Sequence, residues 1–421
     1  MSDPSAYTRR QFLRSGLAMV STVSSVPVFL SRSSSVMAQT AGPLPSNPGV
    51  PEDRVLVVVQ LSGGNDGLNT VIPFGKDNYY KNRAGIAVRE SDLITLDTSE
   101  GIGLHPSLRP IHEMIGNGLG TVVQGVGYPN PIRSHFASMD VWHTGETLTS
   151  KGHGWIGKAM DTTHGQADTS LACISLGAEA PQATQGKLVK PVTFDRPEMF
   201  RWSGRDLHPA MNDAYDQINQ PSMPIADNDP AGFILRTAMD AQVASDRVRK
   251  AVRQSSSTTF PGNSLARQLK MIAAMVRAEL PTRVFYVAMG GFDTHANQGN
   301  QHARLLGEFA TAMDAFYKEL KATGHQDRVL TVAFSEFGRR VKQNASGGTD
   351  HGTAGPMFLF GPQVNPGLVG KHPSLSKLDD GDLIHHTDFR SVYASVLDNW
   401  MKIDSAAALG KHFKPADVLR V

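Results

Sequence analysis

The sequence predicts an α/β fold in which a mainly parallel central sheet is flanked by helices and carries an inserted cap region. Three observations lead there: apolar runs of strand length, apolar stripes at helical spacing between them, and glycine-rich polar clusters where the runs end. The first run, 55–61, is an almost unbroken Val and Leu segment, as expected of a strand covered on both faces. Similar runs follow at 121–126, 172–176, 283–289, 328–334 and 356–360. Leu265, Leu269, Ile272, Met275, Val276 and Leu280 repeat at helical spacing, as do Leu305, Leu306, Phe309, Met313, Phe316 and Leu320. The order helix, strand, helix, strand over 265–334 is that of a parallel sheet with crossover helices. Chemistry in such folds gathers at the carboxyl ends of the strands.

Outside this domain, expected over 55–421, two further segments are read. Residues 1–38 form a twin-arginine signal: Arg9-Arg10-Gln11-Phe12-Leu13 precedes a weakly apolar stretch, and Val36-Met37-Ala38 supplies the small residue for cleavage. A periplasmic address follows, with membrane attachment only through an uncleaved signal. Residues 39–54 read as a linker. Within the domain the pattern weakens over about 179–262, the expected insertion or cap, apart from a helical stretch at 231–252. The net charge of +2, from 41 Lys and Arg against 39 Asp and Glu, argues against a nucleic-acid partner. A single cysteine, Cys173, rules out multi-cysteine metal sites, so a metal would rest on oxygen and imidazole ligands, for which there are 15 histidines.

The clusters at the strand ends supply such ligands. Ser62-Gly63-Gly64-Asn65-Asp66 follows the first run, Gly290-Gly291-Phe292-Asp293-Thr294-His295 the fourth, and Ser335-Glu336-Phe337-Gly338-Arg339 the fifth; Gly348-Thr349-Asp350-His351-Gly352 precedes the sixth. Glycine lets backbone approach a bound group closely, while Asp, Glu and His offer the donors a divalent ion takes. Each cluster alone reads equally well as a turn. A fifth segment, 130–139, runs through Arg133 and Ser134 into a helix, with Ser134 at its N-cap; there a hydroxyl either caps the helix or meets an anionic group at the positive helix end. No phosphate-loop ending follows Gly63-Gly64, and no G-x-S-x-G elbow occurs.

The segments VLVVVQLSGGNDGLNTVIP, GVGYPNPIRSHFASMDVWHTGE, GHGWIGKAMD, GGFDTHANQ, FSEFGRR, TDHGTAGPMFLFG and TDFRSVYASVLDNW resemble a family of exported bacterial proteins, domain of unknown function 1501. That family is similar to the alkaline phosphatase and sulfatase superfamily, which implies an alkaline phosphatase-like fold with one or two divalent metals (zinc, manganese or calcium) at the strand ends. By this resemblance Ser134 is the nucleophile, Asp293, His295 and His351 hold one metal, and Glu336 and Asp66 help to hold a second; Asp350 joins the ligand candidates. Arg133 or Arg339 would balance charge on the transferred group. The sequence departs from the pattern at Ser62, where relatives carry a ligand Asp, and at Phe337, where they carry a ligand His.

The expected activity is metal-dependent hydrolysis of small-molecule phosphate or sulfate esters through a serine nucleophile. The alternative is an envelope binding or assembly protein that keeps the fold without the chemistry and binds another envelope protein.

Overall fold

The computed structural model describes residues 53–147, 152–164, 171–197 and 244–420. The proposed signal, all but the end of the linker and the middle of the expected cap lie outside the described residues.

A nine-stranded sheet forms the centre. Its strands are β1 (Val55–Leu61), β2 (Gly120–Gly127), β3 (Cys173–Leu176), β4 (Val192–Phe194), β5 (Val284–Met289), β6 (Val329–Phe334), β7 (Gly355–Phe360), β8 (Gly367–Val369) and β9 (Thr387–Asp388). They lie in the order β8-β2-β7-β6-β1-β5-β3-β4, with β9 also paired to β2. All six apolar runs are strands. β1 sits between β6 and β5, parallel to both, with Val57 opposite Phe285 on one side and Thr331 on the other. β7 alone runs antiparallel to its neighbours, β6 and β2. The chain between β6 and β7 contains no helix, so it lacks the crossover that a parallel return requires.

The continuous apolar character of β1 has a simple cause. Val55, Val57, Val59 and Leu61 enter one core with helix α4 (Ser264–Arg277) and helix α5 (Gln298–Ala322), as does α1 (Arg109–Gly116). Leu56 and Val58 enter another, which holds residues of α2 (His135–Thr144), α3 (Trp155–His164) and α6 (Phe389–Ala394). Both faces are therefore covered, and alternation vanishes from the sequence. Trp142 stacks on Phe334 and Phe389, and Trp155 on Tyr393, as core residues; Cys173 is buried.

The described parts of 179–262 include β4, which extends the sheet edge parallel to β3, and helical backbone at 244–252. A separate three-stranded sheet, Val71–Ile72, Ile94–Asp97 and Ile102–Leu104, was not legible as strands. Among the described residues no helix is long and apolar enough to cross a membrane.

Candidate metal centre

Three adjacent central strands, β6, β1 and β5, deliver their carboxyl ends side by side, which brings the clusters after them together. The loop after β1 is threaded through a narrow gap. Gly63 and Gly64 have φ of +119° and +78°; a Cβ would stand 2.5 Å from the Asp293 nitrogen at the first and 2.4 Å from the Phe337 ring at the second. Only glycine meets both demands. The Gly63 N–H donates to Glu336 Oε1 at 2.8 Å, tying the first cluster to the third.

The Asp293 carboxylate is the focus. His295 Nε2 lies 3.0 Å and His351 Nε2 3.2 Å from its Oδ1, the two ring nitrogens being 3.0 Å apart, and His135 Nε2 lies 3.5 Å from its Oδ2. Ligand atoms of His135, Asp293 and His351 all fall within 4.8 Å of one another. Each ring is held from behind through Nδ1. His351 Nδ1 meets the Arg133 carbonyl oxygen at 2.8 Å, His135 Nδ1 meets Glu336 Oε1 at 2.8 Å, and His295 Nδ1 meets Asp350 Oδ1 at 3.3 Å. Carbonyl and carboxylate oxygens accept, so each Nδ1 carries a hydrogen and Nε2 is the ring atom turned towards Asp293. The Nε2 of His135 is buried with no hydrogen-bond partner.

A ring held through Nδ1 with Nε2 turned towards a carboxylate has the orientation that metal-bound histidines adopt. The residues therefore fit a divalent cation, and the nitrogen-rich donor set suits zinc better than calcium. Asp293 is ready to bind one: partial burial pulls its carboxyl upward, but hydrogen bonds from Arg339 and His351, with the charges of Arg339 and His295, outweigh that and hold it at about 2.

Several of the sequence candidates are committed to partners within the fold, Arg339 first among them. It is buried, with Nε on the Gly64 carbonyl at 2.7 Å, Nη1 on the Thr349 carbonyl at 2.8 Å, and Nη2 on Asp293 Oδ1 at 2.6 Å as well as on the Phe292 and Gly63 carbonyls. It anchors Asp293. The Arg133 guanidinium pairs with Asp380 at 3.0 Å and Asp382 at 2.5 Å, and it is the Arg133 carbonyl that reaches the centre, through His351. Asp66 is fully buried; its Oδ2 takes Arg83 Nη1 and Gln298 Nε2, both at 2.5 Å, so its charge is spent on a guanidinium. Glu336 is spent on orientation, its Oε1 on Gly63 and His135 and its Oε2 accepting from Ser335 at 3.2 Å. Asp350 stands behind His295, with Asn344 donating to it at 3.0 Å.

Asp293, His295 and His351 do meet. His135 joins them although the sequence reading passed it over: the signal was a histidine directly after the N-cap serine, where the helix start fixes its direction. Ser134 is exposed, holds the extended conformation of an N-cap (φ −94°, ψ 127°), and makes no capping hydrogen bond. Phe337, in place of a ligand, packs its ring 4.9 Å from that of His135 and 4.7 Å from that of His351.

No curated protein sequence matches the chain. Among solved structures it is similar to a phosphonate monoester hydrolase from Silicibacter pomeroyi (12% identity, 86% of this chain and 78% of that one, TM-score 0.33). It is also similar to a sulfatase from Pseudoalteromonas sp. (9%, 95% and 77%, TM-score 0.36) and to a protein in the alkaline phosphatase superfamily from Vibrio parahaemolyticus (9%, 85% and 71%, TM-score 0.31). A family described as "Protein of unknown function (DUF1501)" matches residues 113–414, more than half of the chain, and the chain belongs to that family.

Proposed function

We propose that this protein is an exported, metal-dependent hydrolase of phosphate or sulfate esters that works through Ser134. The observation carrying this reading is the convergence of three Nδ1-anchored histidines on the ionised Asp293 carboxylate. His135, His295, His351 and Asp293 would hold the cation. When bound, a divalent cation polarises an ester oxygen and makes a neighbouring hydroxyl easier to deprotonate.

The chain's own residues supply the rest. Ser134, adjacent in the chain to His135, turns an exposed hydroxyl out of its helix. Its oxygen forms a bond to phosphorus or sulfur as the bond to the alcohol breaks, and the serine proton leaves with the alcohol. Water then cleaves the serine ester and restores the hydroxyl. The first turn of α2 adds the positive end of the helix dipole beside the anionic group. Arg339 keeps Asp293 in place, while Glu336, Asp350 and the Arg133 carbonyl fix the three rings. The strand-end motifs that resemble ester hydrolases support the reaction class, and the Arg9-Arg10 motif supports a periplasmic location.

The test compares wild type with Ser134→Ala on aryl phosphate, phosphodiester and sulfate esters. The expected outcome is a loss of turnover of at least about a thousandfold with bound metal retained. Metal-loaded protein with no turnover on any ester, or with turnover indifferent to Ser134→Ala, would contradict the reading. The first of these results would favour the envelope binding protein, for which the substitution of Phe337 into the ligand position speaks.

A further inference from the structure

Two large hydrophobic side chains stand exposed among the described residues: Ile132 at 37% and Phe136 at 87%. They lie two positions before and two positions after Ser134. Single exposed hydrophobics are ordinary; two that bracket the same hydroxyl are not explained by chance exposure of a loose loop, because this backbone is pinned. The Ile132 N–H donates to the Tyr128 hydroxyl at 3.1 Å, and that hydroxyl pairs with Ser138 Oγ at 3.0 Å. The Arg133 carbonyl accepts from His351, and His135 is held by Glu336. Exposure alternates in consequence: 132, 134 and 136 face solvent while 133 and 135 are half-buried. The half-buried Arg133 and His135 belong to the centre's support, and each outward residue is either the hydroxyl or an apolar group beside it. A phenyl ring left in water forgoes the free energy that covering it would return.

We propose that Ile132 and Phe136 form an apolar lip that receives the alcohol part of the substrate, so that the preferred esters carry an alkyl chain or aryl ring rather than a sugar or another polyol. This rests on the reading of the centre as an ester site. The apolar leaving group lies across the lip while its phosphate or sulfate reaches Ser134, and the polar centre alone would not distinguish one alcohol from another.

The experiment measures binding without turnover. Ethyl-, butyl-, octyl- and phenylphosphonate, whose carbon–phosphorus bonds do not hydrolyse here, are titrated calorimetrically into the zinc-loaded protein and into the double variant Ile132→Ser, Phe136→Ser. In wild type Kd falls at least about tenfold from ethyl to octyl, as partial cover of a few methylenes requires, and phenyl against octyl separates a ring from a chain. In the double variant, with its circular dichroism unchanged, the ethyl-to-octyl ratio collapses towards one. A wild-type ratio near one, or a ratio that survives in the variant, overturns the proposal while leaving the ester reading intact. Failure of every phosphonate to bind overturns both. Binding to phosphatidylcholine vesicles that the variant loses, without chain-length preference among the phosphonates, overturns it in favour of a membrane contact.

Discussion

Asp66 and Asp293 follow glycine pairs at the carboxyl ends of adjacent strands, and by sequence both are ligand candidates. Their surroundings differ. The side chain of Asp66 is wholly buried against Arg83 and Gln298, in a pocket shared with Asn65, Thr70 and the buried His302. That of Asp293 is 47% exposed and faces three histidines. A buried carboxylate must be neutralised by the fold itself, and Arg83 does so. A carboxylate at an open strand end is left with capacity for something from solution. The guanidinium partner does not separate the two, since Arg339 touches Asp293 as well; the histidines and the opening to water do.

The largest effect comes from breaking the closed side. Arg83→Ala leaves the Asp66 charge buried without its partner and should cost about 3–5 kcal/mol in chemical denaturation. The half-exposed His295→Ala, measured in the same way with chelator present, should cost less than about 1 kcal/mol. Equal costs would erase the distinction.

Acid should act next, again on the closed side. Burial holds His302 and His105 at about 4, against the ordinary imidazole value of 6.5. The unfolded chain therefore binds more protons than the folded one between these values. The stability these neutral rings contribute is complete above 6.5 and is lost as pH falls towards 4, by up to about 1.4 kcal/mol per histidine for each pH unit. Urea midpoints measured across this range with chelator present should fall accordingly, and His302→Gln should flatten the slope. Asp293, held at about 2, titrates below this window.

A smaller effect sharpens the open side. Glu336→Gln removes the charge behind His135 and should weaken metal affinity about 10–100-fold, with little change in stoichiometry, in a competition titration. An unchanged affinity would mean that His135 is not a ligand.

The fold was legible because strand length, helical period and strand-end glycines all pointed to one architecture. The edge strands β4, β8 and β9 were not, being two or three residues long and too short to show a period. At the site, residue type was legible and task was not. Asp66, Glu336 and Asp350 look like ligands in the chain, yet each is committed to a different neighbour, and those neighbours, Arg83, His135 and His295, are 17, 201 and 55 residues away. His135 was missed for the complementary reason: its partner Asp293 is brought to it only by the sheet order. Arg133 and Arg339 carry charge that sequence assigns to a substrate and that the structure assigns to Asp380, Asp382 and Asp293.

The central claim is that His135, Asp293, His295 and His351 hold one divalent cation, and elemental analysis of protein purified without chelator tests it most directly. Wild type should carry about one zinc-class ion per chain, and the folded double variant His135→Ala, His351→Ala should carry none. Full metal content in that variant, or a wild type that takes up no ion from excess zinc, would contradict it.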